Sequence, residues 1–151
     1  MKVMFLNLPN GITGFRSSID QELPVMDLVE FKQLCYSFIR QIGGNVKSYN
    51  HDTSQQNFYT VEYDCLGETM LILLNHHYPL LAFASSLDRL TFLDVPGIST
   101  KFRPYYTVLT KDNLNSPITP KHLSALSKAE LTQISYWNPK TVGEIIFNHW
   151  D

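Results

Sequence analysis

The sequence predicts an α+β domain, and three observations carry that prediction. Between Asp27 and Gly43 apolar residues recur with the three-and-four spacing of one helix face. From Asn45 to Pro96 the period shortens to two, as in strands. Beyond Leu109 the chain breaks into short stretches, several opened by a capping signal. The expected layout is one long amphipathic helix packed on a small, mainly antiparallel sheet of about five strands, followed by short C-terminal helices. At 151 residues the chain is expected to form one domain, residues 1–151. A chain of this length buries about 70% of its unfolded surface without disulfides or metals.

The elements follow in order. Lys2 to Leu6 is a short strand candidate, and the Gly, Pro and Ser content from Pro9 to Pro24 marks an extended loop. Asp27, with Glu30 three residues later, opens the long helix as a variant of the capping box. Leu28, Phe31, Leu34, Cys35, Phe38, Ile39 and Ile42 form its apolar face, and Gly43-Gly44 supplies the positive φ of a C-cap, so the helix is placed at 27–43.

"NFYTVEYD" alternates Tyr59, Val61 and Tyr63 with Thr60, Glu62 and Asp64, a strand with one wet face. "TMLILLN" is apolar on both faces and belongs at the sheet centre. "PLLAFAS" and "LTFLDV" read as two more strands joined around Ser86 to Arg89, and "YYTVL" at 105–109 as one more. The short spacings favour antiparallel hairpins over parallel crossovers. In the tail, Thr119-Pro120, the Ser127/Glu130 box and the Thr141/Glu144 box predict two or three short helices broken at Asn138-Pro139.

Composition removes several function classes. The net charge is −2, so the overall basic footprint of a nucleic-acid binder is missing. The charge is uneven: Asp52, Glu62, Asp64, Glu68, Asp88 and Asp94 face only Arg89 between His51 and Thr100, while bases dominate from Lys101 to Lys140. The N-terminal apolar run is broken early by Pro9 and Gly11, too short for a signal peptide, and no stretch approaches a membrane span. Cys35 and Cys65 sit among apolar neighbours and read as reduced, buried thiols, which points to the cytoplasm.

The candidate chemistry centres on "NHHY", Asn75 to Tyr78. On a continuing strand His76 and His77 would point to opposite faces; in a turn, which Pro79 implies, they could meet. No His-Glu-x-x-His or Cys-x-x-Cys spacing accompanies them, so no metal or cofactor is expected. Ser85 and Ser86 near Asp88 lack the Gly-x-Ser-x-Gly elbow of a hydrolase nucleophile. Asp64 opposes ionisation of Cys65, and Gly11-x-x-Gly14 lacks the context of a phosphate loop. The apolar, aromatic tail "GEIIFNHWD" is expected to dock on the sheet.

By size, acidity and order of elements, the chain resembles many small bacterial proteins, among them immunity proteins that bind and block a toxin. That resemblance implies a non-enzymatic cytoplasmic binding module, with an acidic, tyrosine-bearing sheet face (Tyr59, Glu62, Tyr63 and Asp64) docking a basic protein partner. Neither nucleic acid nor membrane is an expected partner. One alternative is a small-molecule-binding domain or small hydrolase, with a pocket between sheet and C-terminal helices built on His76, His77 or His149. Another is a homodimeric structural module joined by an edge strand or the aromatic tail.

Overall fold

The computed structural model describes residues 7–15, 22–85 and 91–150. The strand candidate at Lys2–Leu6 and the connection around Ser86 to Arg89 lie outside the described residues. Helix α1 runs from Leu28 to Gln41, close to the expected 27–43. The Asp27 carboxylate accepts from the Glu30 amide at 3.1 Å, and Gly43 closes the helix at φ +84°, a value that needs no Cβ to be accommodated.

Five strands follow in a simple meander: β1 (Asn45–Asn50), β2 (Phe58–Cys65), β3 (Glu68–Asn75), β4 (Leu80–Ala84) and β5 (Phe92–Leu93), each antiparallel to the next. A sixth, β6 (Thr107–Val108), runs parallel to β4 beside Leu80 and Leu81. Of the expected strand at 105–109 only these two residues pair, and "LTFLDV" contributes only Phe92 and Leu93. The polar β1, not anticipated as a strand, forms an edge of the sheet.

Period-two alternation distributes the side chains between two cores. Tyr59, Val61 and Tyr63 of β2, Ile72 and Leu74 of β3, and Leu81 and Phe83 of β4 pack under α1 and α2 (Pro96–Phe102). Phe58, Leu71, Leu73, Leu80, Ala82 and Ala84 face the other way, onto Leu8 and Ile12 of the N-terminal loop and onto the C-terminal helices. β3 is therefore covered on both sides, as its doubly apolar sequence requires. Helix α2 was not expected; its sequence signal is Pro96 in the first turn.

Four helices form the tail: α3 (Lys111–Leu114), α4 (Pro120–Leu123), α5 (Lys128–Trp137) and α6 (Val142–Ile146). The break between α5 and α6 is at Asn138, which takes the left-handed conformation at φ +53°. The tail does dock: Ile145, Ile146 and Phe147 are buried in the second core. Among the described residues no helix is long and apolar enough to cross a membrane.

Candidate functional site at the strand ends

At the end where β2 begins and β3 stops, three irregular segments converge: the N-terminal loop at 13–15, the β1–β2 connection at 53–57, and the C-terminal residues Asn148 and Trp150. Together with His76 and His77 they line a half-open cavity of about 300 Å³. That is the small end of the range for small-molecule sites.

Irregular backbone can line such a site only if its buried polar groups are satisfied. Three buried asparagines do this. Asn57 Nδ2 donates to the Ile12 carbonyl at 2.8 Å and the Ile146 carbonyl at 2.9 Å, and its Oδ1 accepts from the Asn148 amide at 2.7 Å. Asn75 Nδ2 donates to the same two carbonyls, at 3.2 and 2.8 Å, while its Oδ1 accepts from the His77 and Tyr78 amides. Asn148 Nδ2 donates to the carbonyls of Thr13 and Ile145. The amide orientations follow from these partners, because a carbonyl can face only an N–H donor.

A carboxylate anchors the remaining wall. Glu130, 0% exposed, accepts from the amides of Gly11 and Thr13 at 2.8 and 3.0 Å and from the Thr13 hydroxyl at 2.7 Å. It also completes the α5 capping box with the amide and hydroxyl of Ser127. The box was expected; its second role, holding the N-terminal loop, was not. Gly11 permits it through φ +91°, and a Cβ there would collide with Leu23.

The histidines lie in the bend after β3, the arrangement that lets them meet. Their ring centroids are 4.4 Å apart, and His76 also packs 5.3 Å from Tyr59. The His77 Nδ1 lies 2.7 Å from the Pro24 carbonyl. A carbonyl only accepts, so Nδ1 carries the proton and, in the neutral ring, Nε2 presents a lone pair. Partial burial, reinforced by neighbouring His77, lowers the His76 pKa from its ordinary value. Among the described residues no group of three His, Cys, Asp or Glu could hold a metal ion.

His149 is not part of the cavity wall; its ring packs edge-on against Phe58 at 5.2 Å. Ser85 is exposed, and Ser86 and Asp88 lie outside the described residues. The described hydroxyl–imidazole contact, Thr119 to His122 at 3.1 Å, belongs to the α4 cap, where His122 Nδ1 also accepts the Thr119 amide.

The acidic, tyrosine-bearing face requires correction. Tyr59 is 5% and Tyr63 0% exposed, because both project to the α1 side, with Phe31 stacked 6.3 Å from Tyr59. Glu62 and Asp64 project from the opposite face, as alternation along one strand demands. Glu62 accepts from the Ser48 hydroxyl, Asp64 from the Thr69 hydroxyl, and Lys47 lies 3.9 and 4.0 Å from the two carboxylates. Compared with known proteins, the chain matches no family model, no curated protein and no solved structure.

Proposed function

We propose that this protein binds a small, polar, uncharged molecule in the strand-end cavity, with His76 and His77 as the recognising side chains. The observation that carries this reading is the imidazole pair itself: two rings 4.4 Å apart on the wall of a cavity of about 300 Å³. Partial burial beside His77 disfavours the charged form of His76, so His76 recognises by hydrogen bonding rather than by charge. The surrounding wall supports the same reading. It is made of hydroxyl and amide side chains plus the rings of Phe15 and Trp150, with no Asp, Glu, Lys or Arg among the described lining residues. Asn57 and Asn148 are already committed to backbone partners, so they shape the site while the histidines meet the ligand.

Binding fits better than hydrolysis, because among the described residues no Ser, Thr or Cys is hydrogen-bonded to either ring. The free thiols of Cys35 and Cys65 support a reducing, cytoplasmic setting. The test is a thermal-shift screen of neutral polar metabolites against the wild type and the His76→Ala/His77→Ala double variant. A selective ligand raises the wild-type Tm by mass action and leaves the variant unmoved. A screen in which every hit stabilises both proteins equally rejects the site.

A second reading, in which Glu62 and Asp64 dock a basic protein, is supported by the partial exposure of both carboxylates, 37% and 44% of their side chains. Lys47 between them reduces the field they offer. Replacing both with Lys would slow capture of such a partner most at low salt, since exposed charges act mainly on the association rate. A salt-dependent rate unchanged by the reversal removes this reading.

A further inference from the structure

The cavity does not end at its rim. Trp150, on the wall, is one member of an aromatic row that runs out over α5. Phe15 lies 6.4 Å from Trp150 at an interplanar angle of 28°, and Trp137 lies 6.4 Å from Trp150 on the other contact, its plane within 3° of parallel. Tyr136 meets Trp137 edge-on at 5.2 Å and is 78% exposed, and Trp137 itself is 39% exposed. Parallel rings with centroids this far apart are offset, so neither covers the other's face.

An exposed Tyr-Trp pair at the C-terminal end of a helix has no role in either core. Leaving such area in water is unfavourable, and a continuous aromatic strip leading into a polar cavity is the arrangement expected of a ligand track.

The chemistry of the strip and the cavity narrows the ligand. Nε2 of His77 is an acceptor in the neutral ring, which calls for a ligand that brings O–H or N–H donors. The wall adds Thr53, Ser54 and Gln55, side chains that both donate and accept. The aromatic faces call for a flat, weakly polarised C–H surface, because the negative ring face attracts partially positive hydrogens. A pyranose ring has both properties, hydroxyls around its edge and axial C–H groups on its face. A single-stranded nucleic acid would also stack on such a strip, but it needs basic residues along its backbone, and no Lys or Arg is among the described lining residues.

We propose that the ligand is a neutral saccharide, with one ring in the cavity against His76, His77 and Trp150 and the next lying over Trp137. This rests on the reading of the cavity as a small-molecule site. It extends that reading by assigning the ligand class and the direction in which its chain leaves.

The experiment uses the full chain with chitohexaose, cellohexaose and maltohexaose, and with hexathymidylate as the nucleic-acid comparison. Tryptophan fluorescence and calorimetry follow binding, and the His76 ring is followed by NMR. The expected result is saturable binding of at least one hexasaccharide. Trp137→Ala should weaken it about tenfold, roughly the contribution of one stacked ring, and Trp137→Phe should restore most of the affinity. Because Trp137 lies outside the cavity, the corresponding monosaccharide should shift the His76 resonance equally in wild type and both variants. If no hexasaccharide binds while other neutral compounds still shift His76, the saccharide assignment fails and the cavity reading stands. Binding of hexathymidylate in place of the sugars also overturns the assignment. If nothing shifts His76, both fall.

Discussion

The Glu130 carboxylate and the Thr13 hydroxyl, 117 residues apart, are joined by a hydrogen bond of 2.7 Å that ties the capping box of α5 to the N-terminal loop. The same carboxylate takes up the Gly11 and Thr13 amides, so one side chain satisfies donors in two distant segments. Among the described residues no cation pairs with it. Its buried oxygens are satisfied by these hydrogen bonds, and the cavity wall at 13–15 depends on it.

Glu130→Ala should therefore cost about 3 kcal/mol or more, since it strands several buried donors at once and removes a helix cap. Denaturant unfolding gives the loss. Hydrogen exchange at Gly11 and Thr13 should accelerate ahead of exchange in β3. A cost below about 1 kcal/mol, with those amides still protected, would mean the loop is held by its apolar contacts through Leu8 and Ile12 instead.

Asn75→Asp tests the asparagine clamp without changing its shape. One oxygen still accepts from the His77 and Tyr78 amides, but the other then faces the carbonyls of Ile12 and Ile146, where an N–H now donates. The new oxygen has no donor and faces two carbonyl oxygens that keep only their bonds from Asn57, which should destabilise the fold by at least about 2 kcal/mol at neutral pH. Thermal unfolding of the variant beside Asn75→Ser, which is smaller but uncharged, separates the charge effect from the lost volume.

The helix makes a graded prediction. Phe31 is 1% exposed and contacts both Tyr59 and Tyr106, whereas Phe38 is only partly buried, edge-on to Phe102 at 4.9 Å. Phe31→Ala should cost about 3–5 kcal/mol by truncation in a sealed core. Phe38→Ala should cost less, about 1–2 kcal/mol, because its site is open to water and can relax. Equal losses from the two variants would place Phe38 in the sealed core as well.

His76 sets a pH dependence whose sign follows from its lowered pKa. Burial beside His77 makes the folded protein bind a proton there less readily than the unfolded chain, whose imidazole titrates near 6.5. Between the two values the unfolded state holds more protons, so this group's contribution to stability declines as pH falls below about 6.5 and is constant at higher pH. NMR titration of the ring should give a midpoint below 6.5, and His76→Ala should flatten that part of the stability profile. A midpoint at or above 6.5 would contradict the burial of the pair.

What could be read from the sequence was whatever repeats locally. The apolar face of α1 and the alternation of β2, β3 and β4 carry their own periods, and they locate the helix and the sheet centre to within a residue or two. The short β5 and β6 have no room for a period, and β1, exposed except at Val46, lies at the edge, where one row of its backbone groups meets solvent.

The surface error had a specific cause. Alternation separates Tyr59 and Tyr63 from Glu62 and Asp64, but by itself it does not say which set α1 covers, and the two sets belong to opposite faces rather than to one surface. The site was harder still to read. Its frame is non-local, with Asn57 reaching Ile146 across 89 residues and Asn148 reaching Thr13 across 135. An asparagine at a strand end is ordinarily a turn residue, so Asn57 and Asn75 carried no distinguishing signal. Only the histidines stood out, and only the bend after β3 could decide that they meet.

On the proposed function, the strand-end cavity is the binding site and the imidazole pair is its recognition element. The most direct test is an NMR titration of labelled protein with a library of small neutral polar fragments, reading the ring signals of His76 and His77, the indole N–H of Trp150 and the Thr13 amide. Fragments that bind should shift these four together and saturably, with Glu62 and Asp64 unmoved. Fragments that leave the histidine rings untouched, or that shift the β1–β2 surface around Glu62 and Asp64 instead, would contradict the proposed function.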